Sequence, residues 1–300
     1  MSRLLLATGF TAIWSVFASI AVSATAVAQS SESMEIAARD RDPSPFPTSD
    51  LATPKRSDFG RGQPASGSQL YHQRLAALRS NQLYTRLSGN SFQSDWMGAM
   101  EQPTYEQWKA LLAQEAQLVV QVPETSRLSI VLGDSLSLWM PSGGLPEHQL
   151  WLNQGISGDT TRGILDRLSA IAGTHADRIY ILAGVNDLKN GVEDGEILDN
   201  YRQILRQLKQ EHPQTEAIVQ SILPTRLETI PNDRIRQLNH QLAAIAQQEG
   251  ATFLNLSTYL ADAQGELHPS LTTDGLHLND RGYEAWQWVL QQIESGIAMS

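Results

Sequence analysis

The stretch that decides the fold lies at residues 128–136 and reads Leu-Ser-Ile-Val-Leu-Gly-Asp-Ser-Leu. Residues 128–132 form an apolar run of the length and composition of a buried β-strand. Gly133 permits a tight turn, and Asp134 and Ser135 are residue types that favour the start of a helix. A strand followed directly by a helix start indicates a domain in which strands and helices alternate.

The same alternation continues toward the end of the chain. Four more apolar segments predict strands at residues 150–153, 179–183, 217–222 and 252–256, and helices are predicted at residues 160–172, 196–211, 231–248 and 280–293. Strands alternating with helices of this length predict an α/β domain with a parallel sheet, helices on both faces and right-handed crossovers. The chemistry of such domains lies beyond the carboxyl ends of the strands.

The residues before this domain fall into three segments. Residues 1–28 combine a basic lead, an uncharged stretch and a small-residue site, Ala26-Val27-Ala28, which predicts a secretory signal peptide or an uncleaved membrane anchor. Residues 29–68 are rich in Pro, Ser and Asp and predict a disordered linker. Residues 69–122 show apolar side chains at helical spacing and predict a small helical region, either a pair packed on the main domain or a lid or docking module. The main domain is expected at residues 127–294.

Charge and cysteine content exclude several classes of function. The chain has 300 residues, a formal net charge of −10 and a pI of about 5.1. An acidic chain disfavours a nucleic-acid partner, which requires a basic face, and is not drawn to anionic lipid, so a membrane is expected to be contacted only through an uncleaved N-terminal segment. There are no cysteines, which excludes disulfides, zinc–thiolate sites and cysteine nucleophiles.

Two motifs far apart in the chain carry a hydroxyl, a carboxylate and an imidazole. Ser135 follows the first strand, where the N-terminal end of a helix would direct free N–H groups at it. Near the end of the chain, Asp274 precedes His277 by three residues. This spacing lets the carboxylate reach the imidazole Nδ1–H, which fixes the tautomer and stabilises the protonated ring. The alternatives are a plain helix cap at Ser135 and a metal pair or surface turn at Asp274 and His277.

Two further motifs follow the predicted second and third strands and offer hydrogen-bond donors. Gly158 provides a backbone N–H close to whatever occupies the cleft. Asn186 provides a neutral side-chain donor, which suits a negative charge that develops only in a transition state. The alternatives are that Asp159 beside Gly158 only caps a helix and that Asn186 is a turn residue.

Taken in this order, the four motifs resemble the SGNH hydrolases, also called GDSL esterases and lipases, over residues 127–294. Gly-Asp-Ser-Leu-Ser, Gly-Val-Asn-Asp and Asp-Gly-Leu-His-Leu-Asn are most similar to the bacterial lysophospholipase/thioesterase and platelet-activating-factor acetylhydrolase-like branches. The resemblance implies a three-layer, flavodoxin-like α/β/α fold with five parallel strands, and neither cofactor nor metal. It also implies a Ser135 nucleophile, a His277 base oriented by Asp274, and an oxyanion hole formed by the Ser135 and Gly158 N–H groups and the Asn186 side chain.

The expected function is therefore that of an exported serine esterase, periplasmic or extracellular, acting through an acyl-enzyme on Ser135. Its substrate would be a small-molecule or glycan ester with a short acyl, lipid or acetyl group. Three alternatives stay open: an O-acyltransferase with the same triad, a non-catalytic envelope protein that binds through residues 69–122, and a metal-dependent phosphoesterase. The metal ligands of the last would be Asp134, Asp159, Asp187, Asp274 and His277.

Overall fold

The computed structural model describes residues 62–121 and 126–296. The strands are β1 (Leu128–Gly133), β2 (Leu150–Gly155), β3 (Arg178–Leu182), β4 (Glu216–Gln220) and β5 (Thr252–Leu254). The α-helices are α1 (Gly67–Arg79), α2 (Gln93–Trp96), α3 (Tyr105–Val120), α4 (Ser135–Leu138), α5 (Thr161–Asp166), α6 (Val185–Lys189), α7 (Asp194–Glu211), α8 (Asn232–Glu249), α9 (Ser257–Leu260) and α10 (Asp280–Glu294). Short 3₁₀ helices lie at Tyr84–Arg86, Leu168–Ile171 and Pro269–Leu271.

The five strands form one parallel sheet in the order β2-β1-β3-β4-β5. Every residue of β1 is buried, which is expected of a strand covered on both faces. Gly133 at the end of β1 is in register with Gly155 of β2 and Leu182 of β3. The segments that follow these three strands therefore start at the same edge of the sheet. The predicted α/β fold with a five-stranded parallel sheet is confirmed.

The last helix is fixed to the sheet by buried side chains. Trp286 of α10 is fully buried and donates a hydrogen bond from Nε1 to Gln220 Oε1 at 2.7 Å. At the end of the helix, Glu294 accepts hydrogen bonds from Ser129 Oγ at 2.8 Å and Tyr180 Oη at 2.7 Å. Buried polar groups are stable when they are paired in this way. These contacts hold the C-terminal segment, which carries His277, against the sheet that carries Ser135.

One predicted helix is divided in two. The helix expected over residues 160–172 appears as α5, ending at Asp166, and the 3₁₀ helix Leu168–Ile171. Between them Arg167 leaves helical geometry, with φ −115° and ψ 7°. Its guanidinium turns inward to the carbonyl oxygen of Gly133 at 3.0 Å. A tertiary contact of a buried charge thus overrides the local helical preference.

The residues before β1 form helices that pack on the sheet domain. Helix α1 begins at Gly67, two residues before the predicted start of the helical region, because the Ser66 side chain caps it by accepting from Gln69 N–H. Inside the packed region, Arg74 of α1 forms a buried ion pair with Glu115 of α3, with Nε to Oε1 at 2.9 Å. The two helices are thus packed on each other, and Arg74 also joins them to β2 by donating to the backbone oxygen of Asn153 at 2.7 Å.

The ends of the chain bear on localisation. Residues 1–28, the predicted signal peptide or anchor, and all but the last seven residues of the predicted linker lie outside the described residues. Within the described ranges, no helix combines the length and hydropathy that a membrane span requires.

Candidate active site

The segment after β1 places Ser135 at the start of a helix. Asp134 caps α4, since its Oδ1 accepts from the Leu136 N–H at 2.9 Å. Ser135 is the first residue of that helix and is 8% exposed. Gly133 has no unusual φ; it is needed because a Cβ there would collide with Ser137 Oγ and the Leu182 carbonyl oxygen. Close packing, rather than the turn itself, accounts for this glycine.

The structure brings the predicted serine, histidine and aspartate together across 142 residues of sequence. Ser135 Oγ lies 3.3 Å from Nε2 of His277. On the other side of the ring, Nδ1 of His277 lies 2.7 Å from Oδ2 of Asp274. The three side chains thus form one continuous hydrogen-bonded chain, with Nε2 facing the hydroxyl. A plain cap at Ser135 does not account for this contact with His277.

The orientation of Asp274 is fixed by its own turn. Its Oδ1 accepts hydrogen bonds from the backbone N–H groups of Leu276 at 3.0 Å and His277 at 2.8 Å. Partial burial works in the opposite direction, but the hydrogen bonds from the His277 side chain and from these two N–H groups lower the pKa of Asp274 to about 2. The carboxylate is therefore ionised throughout the neutral range, where its Oδ2 can accept a hydrogen bond from His277 Nδ1.

The two predicted donors differ in availability. Gly158 has φ +79°, faces open space, and its N–H has no hydrogen-bond partner among the residues that the structure describes. Asn186, in contrast, is engaged: its Nδ2 donates to the backbone oxygen of Asp159 at 2.9 Å and to Oδ2 of Asp134 at 3.2 Å. An oxyanion would therefore have to share or displace one of these bonds, and the longer one, to Asp134, is the weaker.

The alternative that Asp159 only caps a helix does not hold. Helix α5 is capped by Thr160, whose Oγ1 accepts from Gly163 N–H at 3.2 Å. Asp159 instead forms a buried ion pair with Arg167, with Oδ2 to Nε at 2.7 Å. Because Arg167 also holds the Gly133 carbonyl, this pair connects the segment after β2 to the segment that carries Ser135.

Arg167 is a residue of this site that the sequence did not indicate. It lies eight residues after Asp159, which is not a spacing that brings side chains together on a helix. In the sequence it is only a cationic residue within the predicted helix over residues 160–172, a segment expected to pack on the sheet. Its charge is stable there because it is paired and hydrogen-bonded.

Three of the acids named as possible metal ligands each have a different protein partner. Asp187 accepts from the N–H of Thr161 at 2.9 Å and from its Oγ1 at 2.6 Å. Asp134 caps α4, and Asp159 binds Arg167. In the part of the chain that the structure describes, no three His, Asp or Glu side chains converge as a metal-binding group.

Asp134 is the buried acid whose ionisation bears on stability. Its burial, followed by the nearby carboxylates of Asp159 and Asp187, raises the pKa of Asp134 to about 7, although the Leu136 N–H works against this. Between the ordinary aspartate pKa and this raised value, Asp134 keeps its proton in the folded protein but has lost it in the unfolded chain. The stability this proton contributes is complete below the ordinary aspartate pKa of about 4 and is lost as the pH rises through about 7.

We therefore expect Asp134→Asn to remove a pH-dependent part of the stability. The amide keeps an oxygen for Leu136 but does not ionise. Between about pH 4 and pH 8 the free energy of unfolding of the wild type should fall relative to that of the variant, by no more than about 4 kcal/mol. Urea denaturation across this range measures the difference. The new amide faces Asn186, so the unfolding free energies of the two proteins are also expected to differ by a constant amount. A difference that stays constant from about pH 4 to pH 8 would contradict the assignment.

Comparison with known proteins assigns the chain to a family. Residues 131–285, more than half of the chain, match the family model described as GDSL-like Lipase/Acylhydrolase. The chain belongs to this family. The membership predicted from the four motifs is confirmed.

Two solved structures have a fold similar to that of this chain. A structure from Streptococcus pneumonia whose description names a platelet activating factor is 26% identical and covers 63% of this chain and 93% of its own, with a TM-score of 0.57. A GDSL-like lipase from Bacteroides thetaiotaomicron is 18% identical, covers 63% of this chain and 98% of its own, and has a TM-score of 0.54. The second likeness shows the fold alone.

Part of this chain is similar to curated proteins of Streptococcus agalactiae. An N-acylneuraminate cytidylyltransferase of Streptococcus agalactiae is 26% identical over 158 residues, which make up 53% of this chain. The match spans 36% of the relative's length. Only about a third of that protein is therefore similar to this chain.

Proposed function

We propose that this protein is a serine esterase that forms an acyl-enzyme on Ser135. The observation that carries the proposal is the chain of contacts from Ser135 Oγ through His277 to Asp274. Nε2 of His277 would take the hydroxyl proton as Oγ attacks the ester carbonyl carbon. The imidazolium would then give this proton to the departing alcohol oxygen, and water activated by the same ring would release the acid.

Negative charge on the carbonyl oxygen would be met by preorganised donors. The Gly158 N–H has no partner among the described residues and can take this role, and the Ser135 N–H lies at the start of α4. Asn186 would contribute the third donor by turning one of its two hydrogen bonds toward the oxyanion. The pKa of Asp274, lowered to about 2, supports the protonated imidazole that this step requires.

The substrate class we propose is a small acyl ester, with a sugar as one candidate for the alcohol part. The name of the Streptococcus agalactiae relative refers to an N-acylneuraminate, which is a sugar. This supports testing acylated sugars first; the nucleotidyl transfer in that name is not extended to this chain. The N-terminal sequence supports export, which would place the enzyme in contact with envelope or external esters.

The experiment is an ester panel with product analysis. We expect the purified protein to release free acid from p-nitrophenyl esters of short acyl chains and from acetylated sugars, with Ser135→Ala as the background. Added sugar or alcohol acceptors should not divert the acyl group. Predominant acyl transfer to the acceptor would identify an O-acyltransferase instead, and no turnover of any ester would contradict the proposal.

A further inference from the structure

The helical region before β1 contacts the loop that carries a proposed oxyanion donor. We call residues 156–160, between β2 and α5, the Gly158 loop. Tyr105, the first residue of α3, donates from its hydroxyl to Oδ1 of Asp159 at 3.2 Å. At the start of the same loop, Ile156 is buried in one apolar cluster with Trp108 and Leu112 of α3. One helix therefore touches the loop at both of its ends.

The strand that leads into this loop is fixed to the same helices. Arg74 donates from Nη2 to the backbone oxygen of Asn153 at 2.7 Å. Gln154 donates from Nε2 to the backbone oxygen of Leu112 at 3.1 Å. The guanidinium of Arg74 also lies over the Tyr84 ring, 4.2 Å from its centroid. These buried contacts fix the start of the loop, so they belong to the fold rather than to a movable cover.

Asp159 transmits the position of the loop to both donors. Its backbone follows directly after Gly158, and its backbone oxygen accepts from Asn186 Nδ2 at 2.9 Å. Its Oδ1 accepts from the Tyr105 hydroxyl at 3.2 Å and from the N–H of the next residue at 3.1 Å, and its Oδ2 accepts from Arg167 at 2.7 Å. A shift of Asp159 would therefore displace the Gly158 N–H and the Asn186 amide together.

We propose that Tyr105 is a positioning residue for ester hydrolysis, acting through Asp159 to hold Gly158 and Asn186 where the oxyanion forms. The inference rests on the proposed function. Donors of this kind stabilise a transition state only when their geometry is fixed before the reaction, so a small displacement lowers the rate.

The fold does not depend on the Tyr105 hydroxyl, because Tyr105 is 40% exposed and Asp159 keeps its ion pair with Arg167 without it. Partial burial and the Asp159 carboxylate raise the pKa of Tyr105 to about 12, which keeps it a donor at neutral pH.

The test removes the hydroxyl alone. We expect Tyr105→Phe to lower kcat on p-nitrophenyl acetate by about 3- to 10-fold, the equivalent of one hydrogen bond, with KM changed by less than about twofold. The rate of inactivation by a fluorophosphonate, which also passes through an oxyanion-like state, should fall by a similar factor. The thermal unfolding midpoint should stay that of the wild type.

A matched control is Tyr71→Phe. Tyr71 lies on α1 with its ring edge-on to Trp108 at 5.2 Å, and its hydroxyl has no hydrogen-bond partner within residues 62–121 and 126–296. This variant should keep the wild-type kcat. A Tyr105→Phe enzyme with the wild-type kcat, a change in KM alone, or an equal loss in Tyr71→Phe would overturn the inference while the proposed function stands. A wild-type protein inert to both reagents would overturn the proposed function itself.

Discussion

Replacing Ser135 by alanine should lower kcat/KM for ester hydrolysis by about 10⁴- to 10⁶-fold. The reason is geometric: Ser135 Oγ is the hydroxyl that lies 3.3 Å from Nε2 of His277, and Ser135 is the first residue of α4. Without it, no acyl-enzyme forms and only the binding and oxyanion groups remain. Steady-state kinetics on a short-chain ester measures the effect.

The matched control for this variant is Ser137→Ala in the same helix. Ser137 is fully buried, and its Oγ has no hydrogen-bond partner in the described part of the chain. Removing that hydroxyl should leave both activity and the unfolding midpoint close to those of the wild type. Equal activity of Ser135→Ala and wild type would contradict the nucleophile assignment.

His277→Ala should cost about as much as Ser135→Ala, and the double variant should lose little more than either single variant. The hydroxyl and the imidazole act as one unit, because the serine attacks only as the ring removes its proton. Losses that multiply in the double variant would show that the two residues act independently. Kinetics of the three proteins on one ester gives this comparison.

The control for the histidine is His268→Ala, nine residues upstream. His268 contacts Ser270 Oγ through Nδ1 at 2.8 Å and belongs to the same C-terminal segment. It should keep the wild-type rate. A large loss in this variant would indicate that the segment, and not the imidazole of His277, is what the reaction requires.

The sequence predicts the fold well because the relevant information is local. Each strand is an apolar run bounded by turn residues, and the predicted helix over residues 280–293 agrees with the observed Asp280–Glu294 within one residue. The Asp274–His277 contact is also local, since three residues and one turn define it. The helix over residues 160–172 is divided because a buried contact of Arg167 is not encoded in the local pattern.

The parts of the site that sequence reasoning missed are tertiary. The sequence predicts Asn186 as a donor but does not show that its amide is engaged by two groups from other segments, Asp134 and Asp159. Tyr105 lies 54 residues before Asp159, in a region with no motif that links it to the site. Such contacts depend on how the helices pack on the sheet, which no spacing in the sequence specifies.

The most direct test of the account is the site at which a fluorophosphonate modifies the protein. We expect a single phosphonylated residue, Ser135, at which Oγ binds phosphorus and fluoride leaves, identified by mass spectrometry of the digested protein. Labelling should be absent in Ser135→Ala and strongly slowed in His277→Ala. A folded wild-type protein that takes up no label, or a label that persists in Ser135→Ala, would contradict it.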